Sequence, residues 1–167
     1  MTEQNQAGEH PLPRVEALGQ YVRDLSFENI AMQTGLNPEG PPKVQVEVNL
    51  GANTRSQPNE YEVLVKLGIK ADTQKDEPIF ILELEYGAVF RIENVPEDQL
   101  HPFLMIECPR IMFPFLRRIA HDVTRDGGFP PLNLENIDWI ALYRNEMARQ
   151  QAMAEAGGQG QGQGRPN

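Results

Sequence analysis

The sequence has little of what disulfide-bonded, metal-dependent and membrane-spanning proteins require. It contains one cysteine, Cys108, which excludes an intrachain disulfide and a cysteine-rich metal site. No stretch approaches the roughly 20 consecutive apolar residues of a membrane-spanning helix. The start, MTEQNQAGEH, has neither the basic nor the apolar region of a secretory signal. We therefore expect a cytosolic (cytoplasmic) protein that does not insert into membranes.

Basic residues are also scarce. The chain has 15 Lys and Arg against 24 Asp and Glu, which gives a formal net charge of -9. Such an acidic surface repels phosphate backbones and anionic lipid headgroups. Nucleic acid and bare membrane are therefore disfavoured as partners, whereas a basic protein surface is favoured.

The two ends differ in composition from the middle of the chain. Residues 1–18 have few large apolar side chains with which to offset the entropy of ordering, so we expect a disordered lead. Residues 154–167 end in Gln and Gly repeats, which predict a flexible tail. The intervening residues 19–153 are long enough to build one core and are predicted to form a single domain.

Four stretches alternate between apolar and polar residues, which is the period of a strand with one wet face. They are Tyr21–Ile30, Lys43–Leu50, Tyr61–Ile69 and Ile79–Ile92. In the first, Tyr21, Leu25 and Phe27 are predicted to share the apolar face, and Asp24 and Glu28 the solvent face. Strands of this kind joined by loops predict an antiparallel sheet in an α+β fold.

Two helical stretches follow the strands. Residues 97–126 have helical period but contain three prolines, and an interior proline costs about 3 kcal/mol, so we expect a broken or bent helix. Its inward stripe is predicted to be Leu100, Phe103, Leu104, Ile111, Phe115, Ile119 and Val123. Gly127 and Gly128 are predicted to supply a left-handed stop. After the hinge FPPLNL, a second helix of about 15 residues is predicted to begin near Asn136 or Asp138.

No catalytic signature is present. Cys108 with His101 or His121 has the composition of a nucleophile and base pair, but a lone cysteine in an apolar helical run is more typical of a small buried side chain. Glu83 and Glu85 share one strand face, as acid and base pairs do in glycoside hydrolysis, yet without a cleft an acidic docking face is favoured. No Gly-rich phosphate loop follows a strand. We therefore expect neither an enzyme nor a bound cofactor or metal.

The hinge and the start of the second helix concentrate large apolar side chains. These are Phe129, Leu132, Leu134 and Trp139. One interpretation is a loop packed as a lid on the core. The other is a wall of an exposed apolar groove, because oversized apolar patches mark interaction sites. The pattern leaves both open.

Several separated motifs, in this order, resemble the SecB family of bacterial protein-export chaperones. They are YVRDLSFEN, YEVLVKLGIKA, FILELEYGAVFRIENV, CPRIMFPFLRRI and RDGGFPPLNL. The resemblance spans residues 21–147. It implies a four-stranded antiparallel sheet with two helices packed on one face, assembled as a homotetramer that is a dimer of dimers.

The resemblance also implies an ATP-independent holdase that binds unfolded preproteins and delivers them to the SecA motor. The family's SecA contact maps onto Asp24, Glu28, Ile81 and Glu83. Its client-binding groove maps regionally onto Phe129, Leu132, Leu134 and Trp139. An adaptor that binds one specific folded partner protein is the alternative, and it would show no preference for unfolded chains.

Overall fold

The computed structural model describes residues 11–158 of the chain. Its elements in order are β1 (Arg14–Asn29), α1 (Ile30–Thr34), β2 (Lys43–Thr54), β3 (Glu60–Asp72), β4 (Pro78–Glu93), α2 (Glu97–Asp126) and α3 (Trp139–Gly158). The chain divides into two compact units between Leu134 and Glu135. The first unit holds the sheet, α1, α2 and the hinge, and the second holds α3.

The predicted antiparallel sheet is confirmed. The strand order is β1-β4-β3-β2, and every neighbouring pair is antiparallel. The apolar alternation of β3 and β4 puts one set of side chains on a buried inner face. These residues, none more than 1% exposed, are Val63, Val65, Leu67, Ile69, Leu82, Leu84 and Phe90. Helix α2 lies across this face and contacts β2, β3 and β4, so the core of the first unit lies between them.

Strand β1 begins at Arg14, seven residues before the predicted start at Tyr21. Residues 14–18 are therefore strand and not part of a disordered lead; the first ten residues of that predicted lead lie outside the described chain. Pairing with the long strand β4 supplies the stability that local composition lacks, since Arg14 to Ala17 face Glu93 to Phe90. The predicted lead was wrong here because backbone pairing does not require large side chains.

Helix α2 is continuous through Pro102, Pro109 and Pro114, so the predicted break does not occur. Each lost hydrogen bond is offset by packing, because fully burying a large apolar side chain contributes about 1.5–3 kcal/mol. The buried stripe includes Leu104, Met105, Cys108, Met112, Phe113, Leu116, Ile119 and Ala120.

Two members of the predicted inward stripe of α2 are only partly covered, although the ring of Phe115 stacks on the buried Tyr86 with 6.4 Å between ring centroids. Ile111 is 42% exposed and Phe115 is 40% exposed. Each precedes a fully buried residue, Met112 or Leu116, and successive helical residues point about 100° apart. Near the middle of α2 the buried stripe is therefore shifted by about one residue from the predicted one, whereas Leu104 and Ile119 are buried as predicted. The shift leaves two large apolar side chains partly at the surface.

The helix ends differ in detail from the predictions. At the end of α2, Gly127 has φ -71° and only Gly128, at φ 85°, adopts the left-handed conformation. Helix α3 begins at Trp139, after Asp138, whose Oδ1 accepts the N–H of Ala141 at 2.9 Å. Because α3 continues to Gly158, residues 154–158 are helical and not flexible tail. The rest of the predicted tail lies outside the described residues.

Candidate functional site

The face of the sheet opposite α2 carries the four residues predicted to contact a partner. Asp24 lies opposite Glu85, Ser26 opposite Glu83, and Glu28 opposite Ile81. Directly opposed side chains share one face of an antiparallel pair and stand about 5 Å apart at Cβ. The structure therefore brings Asp24, Glu28, Ile81 and Glu83 together on one surface, which we call the acidic face.

Three carboxylates of the acidic face lack a counter-ion in the part of the chain that the structure describes. Within residues 11–158, Asp24, Glu28 and Glu83 make no salt bridge, and all three are exposed. Glu85 differs, because Arg23 lies 3.5 Å from its carboxylate. The two glutamates that the sequence grouped as a pair are thus electrostatically distinct, and only Glu83 is available to a basic partner.

A shallow depression adjoins these carboxylates. It has a volume of about 190 Å³ and includes Gly68, Ile81 and Glu83 in its lining. Gly68 lies between Glu83 on β4 and Glu47 on β2, and it has no side chain to fill the space. Ile81 is half-buried in this setting. The acidic face thus combines exposed negative charge with a small apolar recess.

Tyr21 lies on the acidic face and not, as predicted, with Leu25 and Phe27. Its position opposite Gly87 and its hydrogen bond to the Glu62 carboxylate both place it there. The hydrogen bond and the negative charge of Glu62 raise the pKa of the Tyr21 phenol. Tyr21 lies on the acidic face because a β-bulge between Val22 and Asp24 inserts one residue into β1 and reverses the alternation of its side chains.

The hinge packs onto the sheet through an aromatic cluster. The ring of Phe129 lies 5.1 Å from that of Phe80 on β4 and 6.4 Å from that of Phe27 on β1. Phe27 in turn occupies the space where a side chain at Gly127 would lie, so the end of α2, just before the hinge, can approach β1 closely. The Asn29 amide donates to the carbonyl of Gly127 at 2.8 Å and joins β1 to the end of α2.

The four predicted client-binding residues differ in exposure. Phe129 and Leu132 are half-buried, Leu134 is 7% exposed, and Trp139 is 4% exposed. Phe129, Leu132 and Leu134 belong to the first unit, whereas Trp139 opens α3 in the second. Both interpretations of the hinge therefore keep some support, since Phe129 is packed down while part of its surface and that of Leu132 stay accessible.

Further apolar surface is exposed beside the core. On the inner face of the sheet, Val22 and Leu25 at the β1 edge and Val46 at the β2 edge are 42–45% exposed. Ile111 and Phe115 add to it on α2. Strand alternation predicts Leu25 and Val46 to lie on the apolar face, whereas Val22 reaches this face only because of the β-bulge in β1. Alternation does not reveal that α2 leaves both edges of the sheet uncovered.

Cys108 is not an activated nucleophile. It is fully buried, and burial, assisted by the charge of Glu107, raises the pKa of its thiol to about 12. The thiol therefore remains protonated at neutral pH, whereas the thiolate is the reactive species. His121 instead contacts the Asn133 side chain, with Nδ1 3.0 Å from Oδ1.

Residues 11–158 contain neither a cluster of metal-ligating side chains nor a helix able to cross a membrane. No group of three or more His, Cys, Asp or Glu side chains in this part of the chain is arranged to hold a metal ion. No helix here is both long and apolar enough to cross a bilayer. The features that remain as candidates for function are the acidic face, the hinge and the exposed apolar residues.

Comparison with solved structures identifies the fold class. The chain superposes on the Mycobacterium tuberculosis Rv1957 SecB-like chaperone, solved in complex with a ChAD peptide from the HigA1 antitoxin, with a TM-score of 0.61. The match covers 75% of this chain and 91% of that one at 14% sequence identity. The fold is thus that of a SecB-like chaperone.

Sequence comparison identifies the family. Residues 8–150 match the family described as Preprotein translocase subunit SecB. The protein-export protein SecB of Roseobacter denitrificans is 55% identical over 146 residues, covering 87% of this chain and 88% of the relative. That of Ruegeria sp. is 57% identical over 149 residues, covering 89% and 91%. The chain belongs to the SecB family of protein-export chaperones.

Proposed function

We propose that this protein is a cytoplasmic, ATP-independent holdase that binds unfolded preproteins and delivers them to the SecA translocation ATPase. The observation that carries the proposal is the accessible apolar surface of the hinge, where Phe129 and Leu132 are half-buried, together with Val46 at the β2 edge, which is 45% exposed. Exposed apolar patches of this kind mark interaction sites. An unfolded preprotein offers the matching apolar segments for as long as it remains unfolded.

The client-binding surface is assigned to the hinge and the start of α3, through Phe129, Leu132, Leu134 and Trp139. Supporting this role, Phe129 is anchored on Phe27 and Phe80 while Leu132 keeps part of its surface accessible. Contacts of this type select for apolar character and not for a particular sequence. Strand β2 is a sheet edge, so its free backbone groups can also pair with an extended client.

The SecA contact is assigned to Asp24, Glu28, Ile81 and Glu83 on the acidic face. Three exposed carboxylates that form no salt bridge with any described residue support it, because a basic surface would gain charge pairs there without first breaking those among residues 11–158. The recess beside Ile81 and Gly68 adds room for one apolar side chain of the partner. Association through such charges should weaken as salt rises.

The assembly is assigned as a homotetramer, a dimer of dimers. Ile111 and Phe115 on α2, and Val22 and Leu25 on the edge strand β1, support this because a second copy would remove them from water. Burying apolar surface in this way contributes about 25 cal/mol per Å².

The test combines mass with holding activity. Light scattering measures the mass of the pure protein, and then of a mixture with a slow-folding preprotein diluted from denaturant without nucleotide. We expect a mass of about four subunits and a stable complex that blocks client folding. A protein that bound one folded partner and ignored unfolded chains would contradict the proposal and favour the adaptor alternative.

A further inference from the structure

The first part of the hinge depends on very few backbone hydrogen-bond donors. In the sequence Phe129-Pro130-Pro131-Leu132, both central residues are prolines and have no N–H. The two donors that remain are the N–H groups of Phe129 and Leu132. The position of this segment therefore depends on the groups that accept hydrogen bonds from the N–H groups of Phe129 and Leu132.

Both donors bind to one residue of α2. The N–H of Phe129 donates to the backbone carbonyl of Thr124 at 3.1 Å. The N–H of Leu132 donates to the Thr124 hydroxyl at 3.0 Å. Thr124 therefore holds the Pro-Pro segment at its beginning and at its end.

The Thr124 hydroxyl is built into the core. The residue is 0% exposed, and its hydroxyl donates to the carbonyl of Ala120 at 2.8 Å. That bond orients the hydroxyl so that its oxygen is free to accept the N–H of Leu132. A buried polar group with every partner in place is rigid, because losing any one bond leaves an unsatisfied atom away from water.

We propose that Thr124 is a positioning residue for client binding. Its hydroxyl fixes Leu132, and with Leu132 the apolar side chains of the hinge, in the arrangement that receives an unfolded chain. This inference rests on the proposed client-binding role of the hinge. Fixing a binding segment in advance raises affinity because less conformational entropy is lost when the client binds.

The test uses two variants of the full-length protein. Thr124→Val keeps the shape of the side chain but removes the hydroxyl, and Thr124→Ser keeps the hydroxyl. In Thr124→Val we expect the Leu132 amide to exchange hydrogen at least tenfold faster and the affinity for an unfolded preprotein to fall roughly tenfold, as expected for one lost buried hydrogen bond. Thr124→Ser should restore both to within about twofold. The Phe129 amide, whose acceptor is a backbone carbonyl, is the internal control and should keep its protection.

A second modification removes the same hydrogen bond from the other side. Replacing Leu132 by its α-hydroxy acid turns the Pro131–Leu132 amide into an ester, which deletes the N–H and leaves every side chain in place. If Thr124→Val does not fold, this ester variant decides the question, and client affinity should again fall roughly tenfold.

The outcomes separate this inference from the function on which it rests. If the wild type binds clients, and either modification frees the hinge without lowering client affinity, the positioning role is overturned while the holdase function stands. A wild type that bound no unfolded client would overturn the holdase function itself, whatever the exchange of the Leu132 amide.

Discussion

The two faces of the sheet leave different kinds of group without a partner. On the acidic face, Asp24, Glu28 and Glu83 are charged, exposed and without salt bridges in the described chain. On the inner face, the unmatched groups are apolar, such as Val22 and Leu25 at the β1 edge. The acidic face is suited to a partner with a basic surface, and the inner face is suited to a partner with apolar side chains.

The difference would separate the two proposed binding activities physically. Side chains of a strand alternate between faces, so a partner on the acidic face does not compete for space with a chain bound on the inner side. Salt also acts on the two faces in opposite directions, because it screens exposed charges whereas excluded salts such as sulfate favour apolar burial. Substitutions on one face should therefore leave the activity of the other intact.

The largest effect is expected from placing charge on the exposed apolar residues of α2. Ile111→Asp combined with Phe115→Asp should lower the subunit association constant by more than roughly a hundredfold, about 3 kcal/mol, because carboxylates would be buried without partners. Light scattering against concentration measures this change. Gln99→Asp, which adds a carboxylate at an exposed position in the first turn of the same helix, should keep the wild-type mass. An unchanged mass for the double variant would contradict the proposal that α2 lies in the subunit interface.

The next effect is expected at the hinge. Phe129→Ala should lower the free energy of unfolding by about 3 kcal/mol, because it deletes the ring that contacts Phe27 and Phe80. It should also weaken client binding, whereas motor binding should persist. Phe103→Ala, at a similarly half-buried phenylalanine on α2, controls for destabilisation alone.

Denaturant titration and client competition together decide between the two interpretations of the hinge. Loss of stability with unchanged client affinity in Phe129→Ala would support the lid and contradict the groove wall. Equal loss of client affinity in both variants would mean that stability alone accounts for the effect.

The fold is predictable from the sequence where it depends on local properties, and it is not where it depends on contacts between distant segments. The bounds of α2 and the antiparallel character of the sheet follow from periodicity and loop positions, because both are local properties. The start of β1 at Arg14 and the continuity of α2 through three prolines are not local. The start of β1 depends on pairing with β4, and the continuity of α2 depends on packing against the sheet. Neither interaction can be recognised from the sequence of the segment alone.

The candidate site is predictable to the same extent. Alternation correctly places Asp24, Glu28, Ile81 and Glu83 on one face, because β1 and β4 keep a regular register through these residues. Tyr21 is misplaced because a bulge has no simple sequence signature. The role of Thr124 is also hidden, since a threonine eight residues from its partner Leu132 has no recognisable pattern.

A moderate effect is expected on the acidic face. Glu83→Lys changes the net charge from -9 to -7 and should weaken binding to purified SecA about tenfold at low salt, while client holding is unchanged. Glu39→Lys makes the same change of charge at an exposed loop position and should have little effect. The difference between the two should shrink as salt rises, as titration calorimetry at two ionic strengths can measure. Loss of both activities in Glu83→Lys would contradict the assignment.

The smallest effect concerns the core between α2 and the inner face of the sheet. Because burial raises the pKa of the Cys108 thiol from 9.0 to about 12, the thiol stabilises the folded state fully below pH 9, and this contribution is lost as pH rises toward 12. At pH 10 the loss should be about 1 kcal/mol. Denaturation at pH 8 and pH 10 measures it, and Cys108→Ala, which lacks the thiol, should show a smaller decrease. An identical decrease in both proteins would mean that other groups, such as the buried Tyr86 phenol, account for the alkaline loss. Client and SecA binding at pH 8 should be the same for Cys108→Ala and the wild type, since the thiol belongs to neither face.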